Sequence, residues 1–147
     1  MKSYLLQQSG IIFIQLQNGQ GGLLLQDSAL MCDQVEVQIP QTVVQEETTF
    51  DVTAYFRNRA AKTTCTPTTI HYRIDCLTTK STVREWTSVG SPAGANDITI
   101  TSTDNKIIDT LSNVERKQII VQGDRGLSTQ ITGKSAWTVN NLRGIGV

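Results

Sequence analysis

Aromatic residues are scarce in this chain: three Phe, three Tyr and two Trp make up 5% of its 147 residues. A core here must rest on Ile, Val and Leu rather than on rings. Histidine is nearly absent, His71 being the only one. Hydrolase chemistry needs a nucleophile, a base and an orienting group, and one imidazole leaves little to build them from. His71 falls on the polar phase of an alternating segment beside Arg73, as an exposed strand residue would. Cysteine is limited to Cys32, Cys65 and Cys76. The odd count argues against a disulfide framework, and no C-x-x-C spacing suggests a metal site. These residues read as three free thiols, with Cys76 as a small buried hydrophobe. Cys65 and Cys76 could pair only if two adjacent segments brought them close.

An excess of either charge is also missing, since 13 basic residues balance 13 acidic ones. Nucleic-acid binders carry a basic excess or stripe, so that partner class is not expected. The longest charged cluster, Glu115-Arg116-Lys117, mixes signs and reads as a solvated strand face. Long apolar runs are absent as well. Gln7 and Gln8 break the run at Leu5-Leu6, Ile11 to Ile14 is short, and nothing approaches the roughly 20 apolar residues that span a bilayer. No A-x-A cleavage site appears, and Met31 is too large for the position before a lipoprotein Cys32. The chain reads as soluble, made in the cytoplasm, with no membrane partner.

Motifs of chemistry are likewise lacking. No phosphate-binding G-x-x-x-x-G-K-[ST] occurs, and no Gly-rich loop opens a helix. Glu46-Glu47 are neighbours on a turn and read as solvated rather than as a glycosidase pair. Gly123-Asp124-Arg125-Gly126 holds the letters of an integrin motif in the wrong order. No catalytic residue, metal ligand or cofactor site is assigned, and a non-enzymatic protein is expected. Trp86 and Trp137 are assigned to core packing. Exposed, either would instead offer a stacking platform for sugars, with Tyr55 or Tyr72 beside it.

What the chain does contain is period-two alternation, with Thr abundant and no helix-period stretch. Val35, Val37 and Ile39 alternate with Glu36 and Gln38 until Pro40 ends the run. Phe50, Val52, Ala54 and Phe56 alternate with polar partners, as do Ile70, Tyr72, Ile74 and Cys76. Further strands are expected at Val83 to Thr87, around Ile98 and Ile100, at Ile107-Ile108, from Glu115 to Gln122, from Leu127 to Thr132 and from Ala136 to Leu142. Turn signals separate them at Thr66-Pro67-Thr68, at Thr78 to Ser81, at Gly90 to Gly94, at Asp104-Asn105 and at Gly123 to Gly126. Seven or eight short strands without helices bury their apolar faces by sheet-on-sheet packing. The expected fold is all-β, an immunoglobulin-like or fibronectin-like sandwich over residues 33–147. The fibronectin type fits better because Cys76 has no partner in the strand beginning at Glu115.

Residues 1–32 differ from the rest, being rich in Gln, Leu, Ile and Gly and nearly uncharged. Ile11, Ile12, Phe13 and Ile14 and then Leu23, Leu24 and Leu25 flank Asn18-Gly19-Gln20-Gly21-Gly22. This pattern predicts a hairpin arm. A lone hairpin is barely stable in water, so this one needs a surface, either the domain's own sheet or another subunit, and these seven apolar residues are the candidate partner-binding site.

Residues 50–142 resemble a recurrent small sandwich domain encoded among the structural genes of tailed bacteriophages. The resemblance is carried by Phe50-Asp51-Val52-Thr53-Ala54-Tyr55-Phe56-Arg57-Asn58-Arg59 and by Thr66-Pro67-Thr68-Thr69-Ile70-His71-Tyr72-Arg73-Ile74-Asp75. It continues through Trp86-Thr87-Ser88-Val89, Ile98-Thr99-Ile100, Asn105-Lys106-Ile107-Ile108 and Trp137-Thr138-Val139-Asn140-Asn141-Leu142. It implies a virion component, such as a capsid decoration protein, a head fibre base or a neck or tail accessory. Its partners would be other virion proteins, with repeated copies of itself in the particle. No shared active site accompanies the resemblance. A carbohydrate- or host-surface-binding module is the alternative reading.

Overall fold

The computed structural model describes residues 4–8, 11–15, 32–124 and 130–142. Two strands lie in the N-terminal segment: β1 (Tyr4–Gln8) and β2 (Ile11–Gln15). They pair antiparallel in a sheet of their own, with Leu5 opposite Ile14. Ile11 to Ile14 thus pair with Tyr4–Gln8. The expected partner run, Leu23 to Leu25, and the Gly-rich turn before it lie outside the described residues.

Nine further strands form the sandwich. The smaller sheet contains β3 (Gln34–Gln38), β5 (Phe50–Asn58), β6 (Thr63–Thr64) and β9 (Ala95–Ile100). Strand β5 is its centre, flanked by β3 on one side and by β9 and β6 on the other. The larger sheet runs β4-β11-β10-β7-β8, from β4 (Val43–Gln45) through β11 (Gln130–Asn140), β10 (Val114–Asp124) and β7 (Ile70–Cys76) to β8 (Ser81–Ser88). With β3, β5 and β9 as A, B and E, and β7, β10 and β11 as C, F and G, this is the immunoglobulin-type order. Pro40 does what its position predicted. It ends β3, and the chain crosses to the other sheet, where β4 runs parallel to β11.

The alternation read from the sequence places the core. Val52, Ala54 and Phe56 of β5 and Ile98 and Ile100 of β9 face Ile70, Tyr72, Ile74, Ile119, Val121, Trp137 and Val139 of the larger sheet. Val44, from a strand too short to show a period, joins them. Within the sandwich, Leu77, Leu111 and Leu142 are all exposed. The Ile and Val richness follows from β-branched side chains fitting a pleated surface. Trp137 is 1% exposed and meets the Phe50 ring edge-on at 5.6 Å. Trp86 departs from the core-packing expectation, with 41% of its surface exposed on edge strand β8.

Other expectations are corrected here. Ile107 and Ile108 form no strand and belong to the connection between β9 and β10, residues 101–113. The expected strands at Leu127 to Thr132 and Ala136 to Leu142 are one continuous β11 as far as it is described, paired along its length with β10. Strand β10 itself runs through Gly123 to Asp124, where a turn was expected. The cysteines are not three free thiols. Cys32 and Cys65 form a disulfide, and only Cys76 is free and buried. Spacing in the sequence carries no sign of this pair, because it is the pairing of β5 with β3 on one side and with β6 on the other that brings together residues 33 apart. Closing such a loop limits the unfolded chain and stabilises the fold by about 4 kcal/mol on the entropic account. Cys32 is 3% exposed and lies in the core cluster.

One glycine is fixed by packing. A Cβ on Gly123 would stand 2.2 Å from Cε1 of Phe56, so the ring lies directly on the strand backbone. Gly123→Ala is expected to lower stability by about 1–3 kcal/mol through overpacking. Gly90→Ala, where nothing lies within 4 Å, should change the urea midpoint far less. Equal midpoints for the two variants would contradict this packing.

Candidate functional site

The strongest departure from the sequence reading lies inside the domain. Glu115 and Lys117 are each 0% exposed. The phase of β10 explains it. Ile119 and Val121 face the core, and stepping back by two residues puts Lys117 and Glu115 on that same face. Only Arg116, between them, lies on the solvated side. That phase was the available signal, and the mixed charges obscured it.

Both groups are matched. Lys117 Nζ stands 3.7 Å from Glu115 Oε2. It donates to the Asp104 carbonyl at 2.8 Å and also to the Lys106 carbonyl. Glu115 Oε1 accepts the Ile108 and Asp109 amides at 2.9 and 2.8 Å, and Cys76 Sγ donates to Oε2 at 3.5 Å. Next to this pair, Asn105 Oδ1 accepts the Trp137 indole N–H at 2.8 Å, and its amide nitrogen donates to the Thr48 carbonyl at 2.6 Å. Asp104 takes Arg84 Nε and Nη2 at 3.0 and 2.6 Å, and Arg84 Nη1 donates to the Tyr72 hydroxyl at 2.8 Å. Glu46, expected to be solvated, accepts the Ile107 amide at 3.0 Å. Most of these contacts fasten residues 101–113. In immunoglobulin folds a tyrosine corner does this work, and here an ion pair does.

Burial lowers the Lys117 pKa from its ordinary 10.5, opposed first by the Glu115 charge and then by Cys76 and Asp104. The unfolded chain therefore holds this proton to higher pH than the folded one. Between the folded pKa and 10.5 the unfolded state binds more protons, so stability rises with pH across that window.

Two outer surfaces are candidates for contact with other molecules. On the outward face of the larger sheet, Arg73 lies over the Trp86 ring at 5.6 Å and is clamped by Asp75 through Nε at 2.9 Å and Nη2 at 2.8 Å. His71, half-buried, sits on this face opposite Gln122 and Ser88. Tyr72 faces inward and Tyr55 belongs to the other sheet, so neither flanks Trp86. The second surface is the fastened loop and its neighbours, which present Leu111 at 91% exposure together with Ile108, Val114 and Leu142. An open groove of about 330 Å³ also runs between the edges of β8 and β9, lined by Tyr72, Arg84, Asp97, Thr99 and Thr101. Arg84 is already engaged there by Asp104 and Tyr72.

Among the described residues no three His, Cys, Asp or Glu side chains are grouped to hold a metal ion. Among the same residues no helix is long and apolar enough to cross a membrane. Of the sequence-predicted binding residues, Ile11, Ile12, Phe13 and Ile14 fall together on β2, and Leu23, Leu24 and Leu25 lie outside the described residues. No protein-family model and no curated protein matches this chain.

Two expectations follow. Lys117→Met strands a buried carboxylate and should cost about 3–5 kcal/mol, against about 0.5 or less for Arg116→Met at the exposed neighbour. Against the Lys117→Met/Glu115→Gln double variant, the urea midpoint of the parent chain should climb with pH on the alkaline side, below the ordinary lysine value of 10.5. A flat difference would return Lys117 to an ordinary titration.

Proposed function

We propose that this protein is a non-enzymatic structural subunit of a tailed-phage particle, a capsid decoration or head–tail accessory protein. It docks on other virion proteins through its N-terminal arm, and its copies repeat around the particle. The observation that carries this reading is that, among the described residues, β1 and β2 pair only with each other and enter neither sheet of the sandwich. A two-stranded hairpin is marginal by itself, and the Ile11-Ile12-Phe13-Ile14 run gives it an apolar sequence. Strand addition to a partner's sheet edge would complete such an element, and symmetric repetition would multiply weak contacts. The balanced charge and the resemblance of residues 50–142 to phage sandwich domains support the same reading.

The exposure of Trp86 favours a second reading, a carbohydrate- or host-surface-binding module. Arg73 already covers one face of that indole. A sugar stacking on the free face would shift Trp86 emission, and Trp86→Ala would abolish the shift.

The docking test is a chain lacking residues 1–31. It keeps Cys32, which the sandwich needs for its disulfide. This variant should retain the β-sheet circular dichroism of the parent and fail to co-sediment with particles. Incorporation at the parent level would overturn the arm reading.

A further inference from the structure

The place where the N-terminal segment joins the sandwich is fastened by four contacts. Cys32, two residues before β3, is bonded to Cys65, the residue that follows β6. The Asp33 amide donates to the Arg57 carbonyl at 3.0 Å, and the Asp33 carboxylate accepts the Arg59 amide at 2.9 Å. The Cys65 amide donates to the Phe56 carbonyl at 3.0 Å. All of these anchors converge on the last turn-side residues of β5, the strand that is paired on both sides. Strand β3 is different: it is five residues long and, among the described residues, pairs with β5 alone. Without the covalent bond, a pull on the arm would load the terminal β3–β5 hydrogen bonds one after another. With it, the pull passes to the centre of the sheet.

We propose that the Cys32–Cys65 disulfide is a redox latch at the root of the arm, open in the reducing cytosol where the chain is made and closed once it meets an oxidising medium. The latch rests on the reading of residues 1–31 as a docking arm for its purpose, though not for its chemistry. Disulfides persist outside reducing compartments and are scarce within them. Closure is thiol–disulfide exchange with a small-molecule disulfide such as oxidised glutathione. One cysteine thiolate attacks it, forming a mixed disulfide and expelling one thiolate. The second cysteine thiolate attacks the mixed disulfide and expels the other. The two cysteine sulfurs give up two electrons, the external disulfide is reduced to two thiols, and the two cysteine protons end on those thiols. Cys76 takes no part, being 1% exposed with its Sγ against Glu115.

The full chain provides the test. It is expressed in a reducing bacterial cytosol, quenched with acid, denatured and alkylated, and its labels are counted by mass. Three labels are expected at harvest and one after exposure to oxidised glutathione. One label at harvest would overturn the timing, and three after exposure would overturn the latch. Because the count is made on denatured chain, it holds whether or not the reduced form folds. Closure should also raise Tm by about 10 °C and slow amide exchange at Glu36 and Gln38, which face Tyr55 and Thr53 of β5, at least about tenfold. Exchange that is equal in the parent and in Cys32→Ser/Cys65→Ser would remove the anchoring role. If the chain lacking residues 1–31 joins particles normally, the docking reading fails while the label count stands.

Discussion

A lysine ammonium with no exposed surface must find negative charge and carbonyl dipoles nearby, or it will lose its proton. One end of this sandwich is arranged to supply both. Lys117 has Glu115 on its own strand and two carbonyls from the connection above it. That requirement dictates the course of residues 101–113. The carbonyls of Asp104 and Lys106 must point down at Lys117, and the amides of Ile108 and Asp109 must point down at Glu115. A connection that could otherwise take many paths is left with one. Asp104 then turns its carboxylate to Arg84, and Asn105 turns its amide to Trp137. The largest core side chain is thereby held in register with the loop. A buried ion pair is a poor source of net stability. Its value here is that of a template, which an apolar pair of equal volume could not provide for four backbone groups.

The fold was largely legible because its signal is local. Alternation from Phe50 to Phe56 and from Ile70 to Cys76 needs only the pleat to be read, and Pro40 needs only its missing N–H. What the residues could not announce was anything settled by pairing across the chain. Val43 to Gln45 is too short to show a period, and it is a strand only because β11 lies beside it. Cys32 and Cys65 have no spacing that marks them; the pairing of β5 with both β3 and β6 makes them neighbours. Charge misled in one direction. Glu115 and Lys117 look solvated by type, and Glu46 looks solvated by position, yet each satisfies backbone amides or carbonyls of residues 101–113. Phase outranked polarity, and the phase was in the sequence. Of the candidate binding residues, the strand character of Ile11 to Ile14 could be read, while its pairing with Tyr4–Gln8 could not, because the Gln-rich run there shows no clear alternation.

The two ends of β10 show how differently one domain can be closed. At the Glu115 end the closure is ionic and hydrogen-bonded, with Lys117, Arg84 and Asn105 tying a loop across the core. At the Gly123 end it is apolar and covalent. Phe56 lies on the Gly123 backbone, its own carbonyl holds the Cys65 amide, and Cys65 is bonded to Cys32. Between them the Ile and Val layers need nothing but exclusion of water. The two closures answer to different solution variables, proton activity at one end and thiol–disulfide balance at the other. Because they sit at opposite ends of a strand whose middle is plain hydrophobic packing, a change at one has no polar path to the other. The arm enters at the covalent end. Whatever load or contact it carries is delivered to β5 and the disulfide, while the ionic end, with Leu111 and Ile108 held outward on an immobilised loop, stays as it was built.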